Sequence, residues 1–195
     1  MTGGVTNQRN KTAGLLNPSK NNSYCALPPI DPYRSEHTMT GFMACGGVQT
    51  GASTSCSTFN TARGVWEESH QFQTRHFRHV AWNNSEGVML MGGWENSYST
   101  TLLLHGGGSR PGFMLKEPCQ GCCGASDPYT NTVILSGGYS YRTNVVRYGP
   151  RGYMNTLPYL RSGRHYHGCA IFYTDYRMPV KRNYFNEINL RISHR

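Results

Sequence analysis

A doubled glycine recurs in this chain at Gly3–Gly4, Gly46–Gly47, Gly92–Gly93 and Gly137–Gly138. Counted from the first glycine of each pair, the intervals are 43 (3 to 46), 46 (46 to 92) and 45 (92 to 137) residues. The last three pairs each end an apolar, β-favouring run: FMACGGV at 42–48, VMLMGGW at 88–94 and VILSGGY at 133–139. A period of about 45 residues is what four short strands and their turns occupy in radially repeated sheets. Composition agrees, with 23 Gly, 13 Tyr and only 15% charged residues, a balance suited to turn-rich β structure and not to long helices.

Each unit has the same internal order. The apolar run (Gly41–Cys45, Val88–Met91, Val133–Ser136) reads as a buried central strand. The glycine pair supplies backbone freedom, and one of its members lacks a side chain that would collide with a neighbouring sheet. A polar loop follows (Gln49–Ser55, Glu95–Thr100, Ser140–Asn144), then a second strand (Cys56–Phe59, Thr101–Leu104, Val145–Tyr148). A turn then leads to an outer strand anchored by Trp66, Phe113 or Tyr153. The innermost strand is expected before the apolar run, where Thr74–Ala81 resembles Gly163–Ala170 with Arg75 and Arg164 two periods apart. Arg34–His37 takes that slot in the first unit and Cys122–Ala125 in the third. Alternation along such strands puts His76 and His79 on opposite faces, and His165 and His167 on one face.

The doubled glycine after an apolar strand, the Arg-x-x-His type element before it and the aromatic pair Phe59 and Trp66 together resemble kelch repeats. The stretch at 23–47, continuing to Cys56–Phe59 and Gly64–Trp66, is similar to Cys-bearing kelch-like proteins of animals, many of them secreted. The resemblance covers roughly Gly3 to Thr174. It implies an all-β fold: a partial, incomplete kelch-type β-propeller with about three full four-stranded antiparallel blades plus partial blades. Half a blade is expected at 2–30, blades at 31–73, 74–118 and 119–161, the first strand of another at 162–175, and a non-repeat tail at 176–195. Open sheet edges at both ends would leave self-association possible. The resemblance suggests an extracellular location, and N-x-S/T acceptors at Asn10, Asn21 and Asn83 fit it, although Met1–Lys20 lacks the apolar core of a signal peptide. No apolar run reaches the roughly 18 residues of a membrane-spanning helix.

Seven cysteines cannot all pair within one chain. Cys119-Gln-Gly-Cys122 has the C-x-x-C spacing, but a second such pair to complete a four-thiolate zinc site is absent, which leaves disulfides or buried thiols. Strand adjacency favours Cys45 with Cys56, and Cys123 with Cys169, leaving Cys25 without a partner and Cys119 or Cys122 unpaired. The Arg and His residues recur at the repeat period, so the scaffold accounts for them as inter-repeat hydrogen-bonding groups. No G-x-S-x-G elbow surrounds a serine, Gly106–Gly108 reads as a hairpin turn, and Asp31–Pro32 and Asp127–Pro128 read as turn starts. No catalytic residue, metal ligand or cofactor is assigned.

The expected function is therefore non-enzymatic: binding of a protein partner through loops on a rigid scaffold, with Trp94, Tyr98, Tyr139, Tyr141 and Arg142 as the candidate contact residues. Two other classes remain open. One is a galactose-oxidase-like, metal-dependent oxidoreductase using His and Tyr of a central channel. The other is binding of anionic polymers through the net charge of +9. The basic residues are scattered, with the densest groups at Arg161/Arg164 and Lys181/Arg182, which argues against nucleic acid.

Overall fold

The computed structural model describes residues 13–17, 23–49, 51–94, 98–140 and 142–171. Gly3, Gly4, Tyr141 and the tail at 176–195 lie outside the described residues. The described residues are all-β, with fourteen strands and no helix, so no helix among them is long and apolar enough to cross a membrane. Strands β1 (Ala13–Asn17) and β2 (Ser23–Leu27) pair as an antiparallel hairpin. Three four-stranded antiparallel meanders follow in chain order. The first is β3 (Thr38–Thr40), β4 (Met43–Cys45), β5 (Ser55–Asn60) and β6 (Val65–Gln71). The second is β7 (Val80–Asn84), β8 (Gly87–Met91), β9 (Thr101–His105) and β10 (Gly108–Pro111). The third is β11 (Cys123–Asp127), β12 (Thr132–Ser136), β13 (Val145–Gly149) and β14 (Gly152–Thr156).

Strand alternation divides the middle sheet between two cores. Val80, Trp82, Met89, Met91 and Leu103 face the third sheet, where they meet Val133, Leu135, Val146 and Tyr148. Leu90 and Leu104, with Ala81, Val88 and Leu102, face the first sheet and its Cys45, Cys56 and Phe72. That is why Val88–Met91 and Leu102–Leu104 are unbroken apolar runs: a sheet buried on both faces needs no polar alternation. The first strands of the sheets lie side by side, β7 touching both β3 and β11. Gly124 allows this approach, since a methyl group there would collide with Val80. Ile134 and Val145, on the far face of the third sheet, are also buried.

Three disulfides cross-link the chain. Cys45 and Cys56 are register partners on β4 and β5, and Cys123 on β11 is joined to Cys169, 46 residues later. Cys119 and Cys122, between which sequence reading left one thiol unpaired, are bonded to each other. Cys25 is free and exposed. The aromatic anchors divide. Trp66 and Tyr153 pair across their strands with Phe59 and Tyr148, at ring centroid distances of 5.4 and 6.3 Å. The Trp66 Nε1 also donates to Pro28 O, tying the segment after β2 to the first sheet. Phe113 falls beyond β10 and does not anchor an outer strand. It stacks on Tyr148 of the next sheet at 5.7 Å with 9° between the planes.

Candidate functional site: a rim of turns, arginines and aromatic rings

The Arg/His elements are not strands. They form four-residue turns immediately before the first strand of each sheet, at Arg34–His37, His76–His79 and Cys119–Cys122, with a fourth at Arg164–His167. The third residue of each, Glu36, Arg78, Gly121 or Tyr166, has φ between 52° and 61°, a left-handed conformation that no continuing strand tolerates. This overturns the alternation expected for the histidines. His76 and His79 are both buried with ring centroids 5.7 Å apart, whereas exposed His165 meets the Tyr139 ring and His167 bonds Ser136. The register also moves by one residue. Hydrogen bonding makes His76, not Arg75, the counterpart of Arg164, and the third unit's matching turn is Cys119–Cys122, while Cys123–Ala125 lie on the first strand of the sheet, β11, where the innermost strand was expected.

Each glycine pair receives the next unit's turn. The second glycine donates its N–H to the turn's first carbonyl: Gly47 to His76 O (2.9 Å), Gly93 to Cys119 O (2.7 Å) and Gly138 to Arg164 O (2.8 Å). A Cβ on Gly46, Gly92 or Gly137 would collide with that same oxygen, and φ there is 66–68°. The residue after the pair bonds back to its own unit's turn: Val48 N to Ser35 O, Trp94 N to Phe77 O and Tyr139 N to Gln120 O. Successive turns are linked through their third residues, Arg78 N to Glu36 O, Gly121 N to Arg78 O and Tyr166 N to Gly121 O. The turns and the residues that directly follow the glycine pairs thus form a backbone-braced rim.

Beneath the rim lie polar groups that secure it. Arg34 is fully buried, and its guanidinium donates to the carbonyls of Gly46, Ala52 and Ser55 and to the hydroxyls of Ser55 and Ser57. Burial pushes it down to about 10, still cationic at neutral pH. His79 Nε2 pairs with Thr38 Oγ1 at 2.7 Å across the first junction, and His167 Nε2 with Ser136 Oγ at 3.1 Å across the last. Burial holds His76 at about 4 and, helped by nearby His76, His37 and Arg34, holds His79 well below its ordinary value. These imidazoles are neutral packing groups. Among the described residues no set of three or more His, Cys, Asp or Glu side chains is arranged to hold a metal ion.

On the rim itself, Arg78 is the hub. It makes a bidentate ion pair with Glu36 (2.7 and 2.8 Å) and donates to the Tyr166 hydroxyl at 2.7 Å. Its guanidinium carbon lies 5.0 Å from the ring centroids of both Trp94 and Tyr166. The bond to Glu36, more than any other influence, raises its already high pKa. From Trp94 the contacts run to Phe77, stacked at 6.3 Å, and to Tyr98 at 6.4 Å. From Tyr166 they run to His165 at 5.1 Å and on to Tyr139 at 5.8 Å. A guanidinium closes each end, Arg75 over Phe77 and Arg142 over Tyr139.

Of the residues expected from sequence, the structure brings Trp94 and Tyr98 together and Tyr139 and Arg142 together, and a third group joins the two pairs. That group, Arg78, Tyr166 and His165, was missed because its residues were read as inner strand. The signal available was Gly121, a glycine where the other turns carry Glu36, Arg78 and Tyr166. At the opposite end of the sheets, a shallow cleft between the β7–β8, β11–β12 and β13–β14 turns is lined by Ser85, Glu86, Asn131, Arg151 and Tyr153, among others. Asn131 and Ser85 are hydrogen-bonded across it. No protein-family model and no curated protein sequence matches the chain.

Proposed function

We propose that the three meanders are consecutive blades of a kelch-type β-propeller, and that the chain is a non-enzymatic module binding a protein partner through the rim. What supports the propeller reading is the repetition of one hydrogen-bonding scheme at every junction, with the first strands of all three sheets side by side. What carries the functional reading is the Arg78 assembly. Three separate units contribute Glu36, Arg78 with Trp94, and Tyr166 to one partly exposed cluster, with Tyr98, Tyr139 and Tyr166 all exposed on a braced backbone. Tyr, Trp and Arg are the side chains that anchor protein interfaces, and rigid presentation lowers the entropy lost on binding.

Affinity capture from the protein's own source, run in parallel with two variants, tests this. A rim variant, Tyr98→Ala/Tyr139→Ala/Arg142→Ala, should lose the proteins retained by the unmodified chain. A variant at the opposite end, Tyr129→Ala/Met154→Ala, should retain them. Equal retention by both variants would remove the rim from the proposal.

A further inference from the structure

We propose that Asn83 carries an N-linked oligosaccharide, a modification that stands independently of the protein-binding reading. Asn83-Asn84-Ser85 is an N-x-S acceptor with a residue other than proline in the middle. The other two acceptors, at Asn10 and Asn21, lie outside the described residues. The step is a glycosyl transfer. A bond forms between the Asn83 amide nitrogen and the anomeric carbon of a lipid pyrophosphate-linked oligosaccharide, the bond from that carbon to the pyrophosphate breaks, and the amide gives up one proton.

Local structure sets Asn83 apart from its neighbours. Alternation along β7 sends Val80 and Trp82 into the core shared with the third sheet and puts Ala81 and Asn83 on the face toward the first sheet. Ala81 packs there against the core, whereas Asn83, near the end of the strand, is exposed. No hydrogen bond holds its side-chain amide among the described residues. Asn84 is the opposite case: its Oδ1 accepts from Glu86 N at 2.8 Å and its amide nitrogen is buried. A bulky, hydrated chain can therefore be joined to Asn83 without displacing a core side chain or breaking a contact.

The cysteines supply a second, independent observation. Six of the seven are joined in three disulfides. Such bonds form and persist in secretory and extracellular compartments and are rare where thiols are kept reduced. The secretory route is also where N-x-S acceptors are used. Position fits as well. The β7–β8 turn that follows Asn83 lies at the end of the sheets away from the rim, where Ser85 and Asn131 are hydrogen-bonded across the cleft. A glycan there leaves Arg78, Trp94 and Tyr166 uncovered.

The test uses protein purified from its own source. Digestion with peptide N-glycosidase in heavy-oxygen water turns a glycan-bearing asparagine into labelled aspartate, and tandem mass spectrometry reads the tryptic peptide beginning at His79. The label is expected at Asn83 and at neither Asn84 nor Asn96, the other asparagines of that peptide. Expressed in the same cells, Asn83→Gln and Ser85→Ala should each lose one glycan's step of gel mobility, while Asn84→Gln and Ser85→Thr keep it. An unlabelled Asn83, a label that forms equally without the glycosidase, or a full set of mobility steps in Asn83→Gln overturns the proposal.

Discussion

The junction between the first and second sheets and the junction between the second and third solve one geometric problem with different chemistry. In the first, the His76–His79 turn docks on Gly46, with the His79 ring against the glycine and its Nε2 on Thr38. In the second, the Cys119–Cys122 turn docks on Gly92, and a disulfide occupies the positions held by the two imidazoles. Both keep the same left-handed third residue and the same backbone hydrogen bonds. The shared part of the repeat is therefore backbone geometry, and the side chains at the turn's ends are alternative fillings of the same space.

The largest test of that view is at the glycines. Gly46→Ala and Gly92→Ala place a methyl group against a backbone oxygen that is itself hydrogen-bonded, at φ values of 68° and 66°. Each should lose more than about 3 kcal/mol, whichever chemistry fills the turn. Gly51→Ala and Gly64→Ala share a positive φ but meet nothing within 4 Å, so each should cost about 1 kcal/mol. Urea midpoints settle the ranking, and a tolerated Gly92→Ala beside a damaging Gly46→Ala would show that the disulfide junction does not depend on the glycine.

Much of this scaffold is legible in the sequence, and the reason lies in what the glycines do. Sequence period locates Gly46, Gly92 and Gly137 because the close contact they permit excludes every other residue. The central strands β4, β8 and β12 lie on or within a residue or two of the expected runs, because a strand with buried residues on both faces is an apolar run bounded by that glycine pair. The turns were misread because Arg34–His37 and His76–His79 carry no glycine. Glu36, Arg78 and Tyr166 accept a left-handed φ that their residue types disfavour, so only the surrounding hydrogen bonds impose it. The rim inherits that difficulty: Trp94 and Tyr139 follow glycine pairs and are visible, whereas Arg78 and Tyr166 sit at the concealed position.

The next test separates the junctions by pH. His76 is held at about 4 in the folded chain by burial, against 6.5 when unfolded. Below pH 6.5 the unfolded chain therefore binds a proton that the folded chain refuses. The His76 contribution to stability should be flat above pH 6.5, fall by roughly 3 kcal/mol between 6.5 and 4, and level off below, where His79, held lower still, continues the loss. His37, also held at about 4 by burial and the neighbouring Arg34 charge, adds in the same direction. Urea titrations at pH 7.5 and 4.5 read the slope, which His76→Gln should reduce. A slope that His76→Gln leaves intact would assign the acid sensitivity to His79 or His37 and not to His76.

A smaller effect is expected at the disulfide that replaces the imidazoles. Cys119 and Cys122 are three residues apart, so their bond closes a short loop and contributes about 2 kcal/mol by loop-closure entropy. The Cys123–Cys169 bond spans 46 residues and contributes about 4 kcal/mol on the same reasoning. Replacing each pair by serines and comparing denaturation at neutral pH checks this. If losing Cys119–Cys122 costs as much as losing Cys123–Cys169, the turn depends on its cross-link and the two junctions are not equivalent.

The finest distinction concerns Gly121, the one third-position residue of the four turns without a side chain. The Tyr166 ring lies over it, where a Cβ would stand, and from there reaches Arg78. Gly121→Ala should push that ring aside; a rotating side chain yields more readily than backbone. The loss is the φ cost of about 1 kcal/mol together with a cation–π contact worth about 1 kcal/mol at a partly exposed site. A double-mutant cycle with Tyr166→Ala separates these, because without the ring only the φ cost remains. Additive costs would mean that Gly121 is required by its backbone alone. A coupling of about 1 kcal/mol would establish that the missing side chain in the third turn is what lets the fourth reach back to the second and close the rim around Arg78.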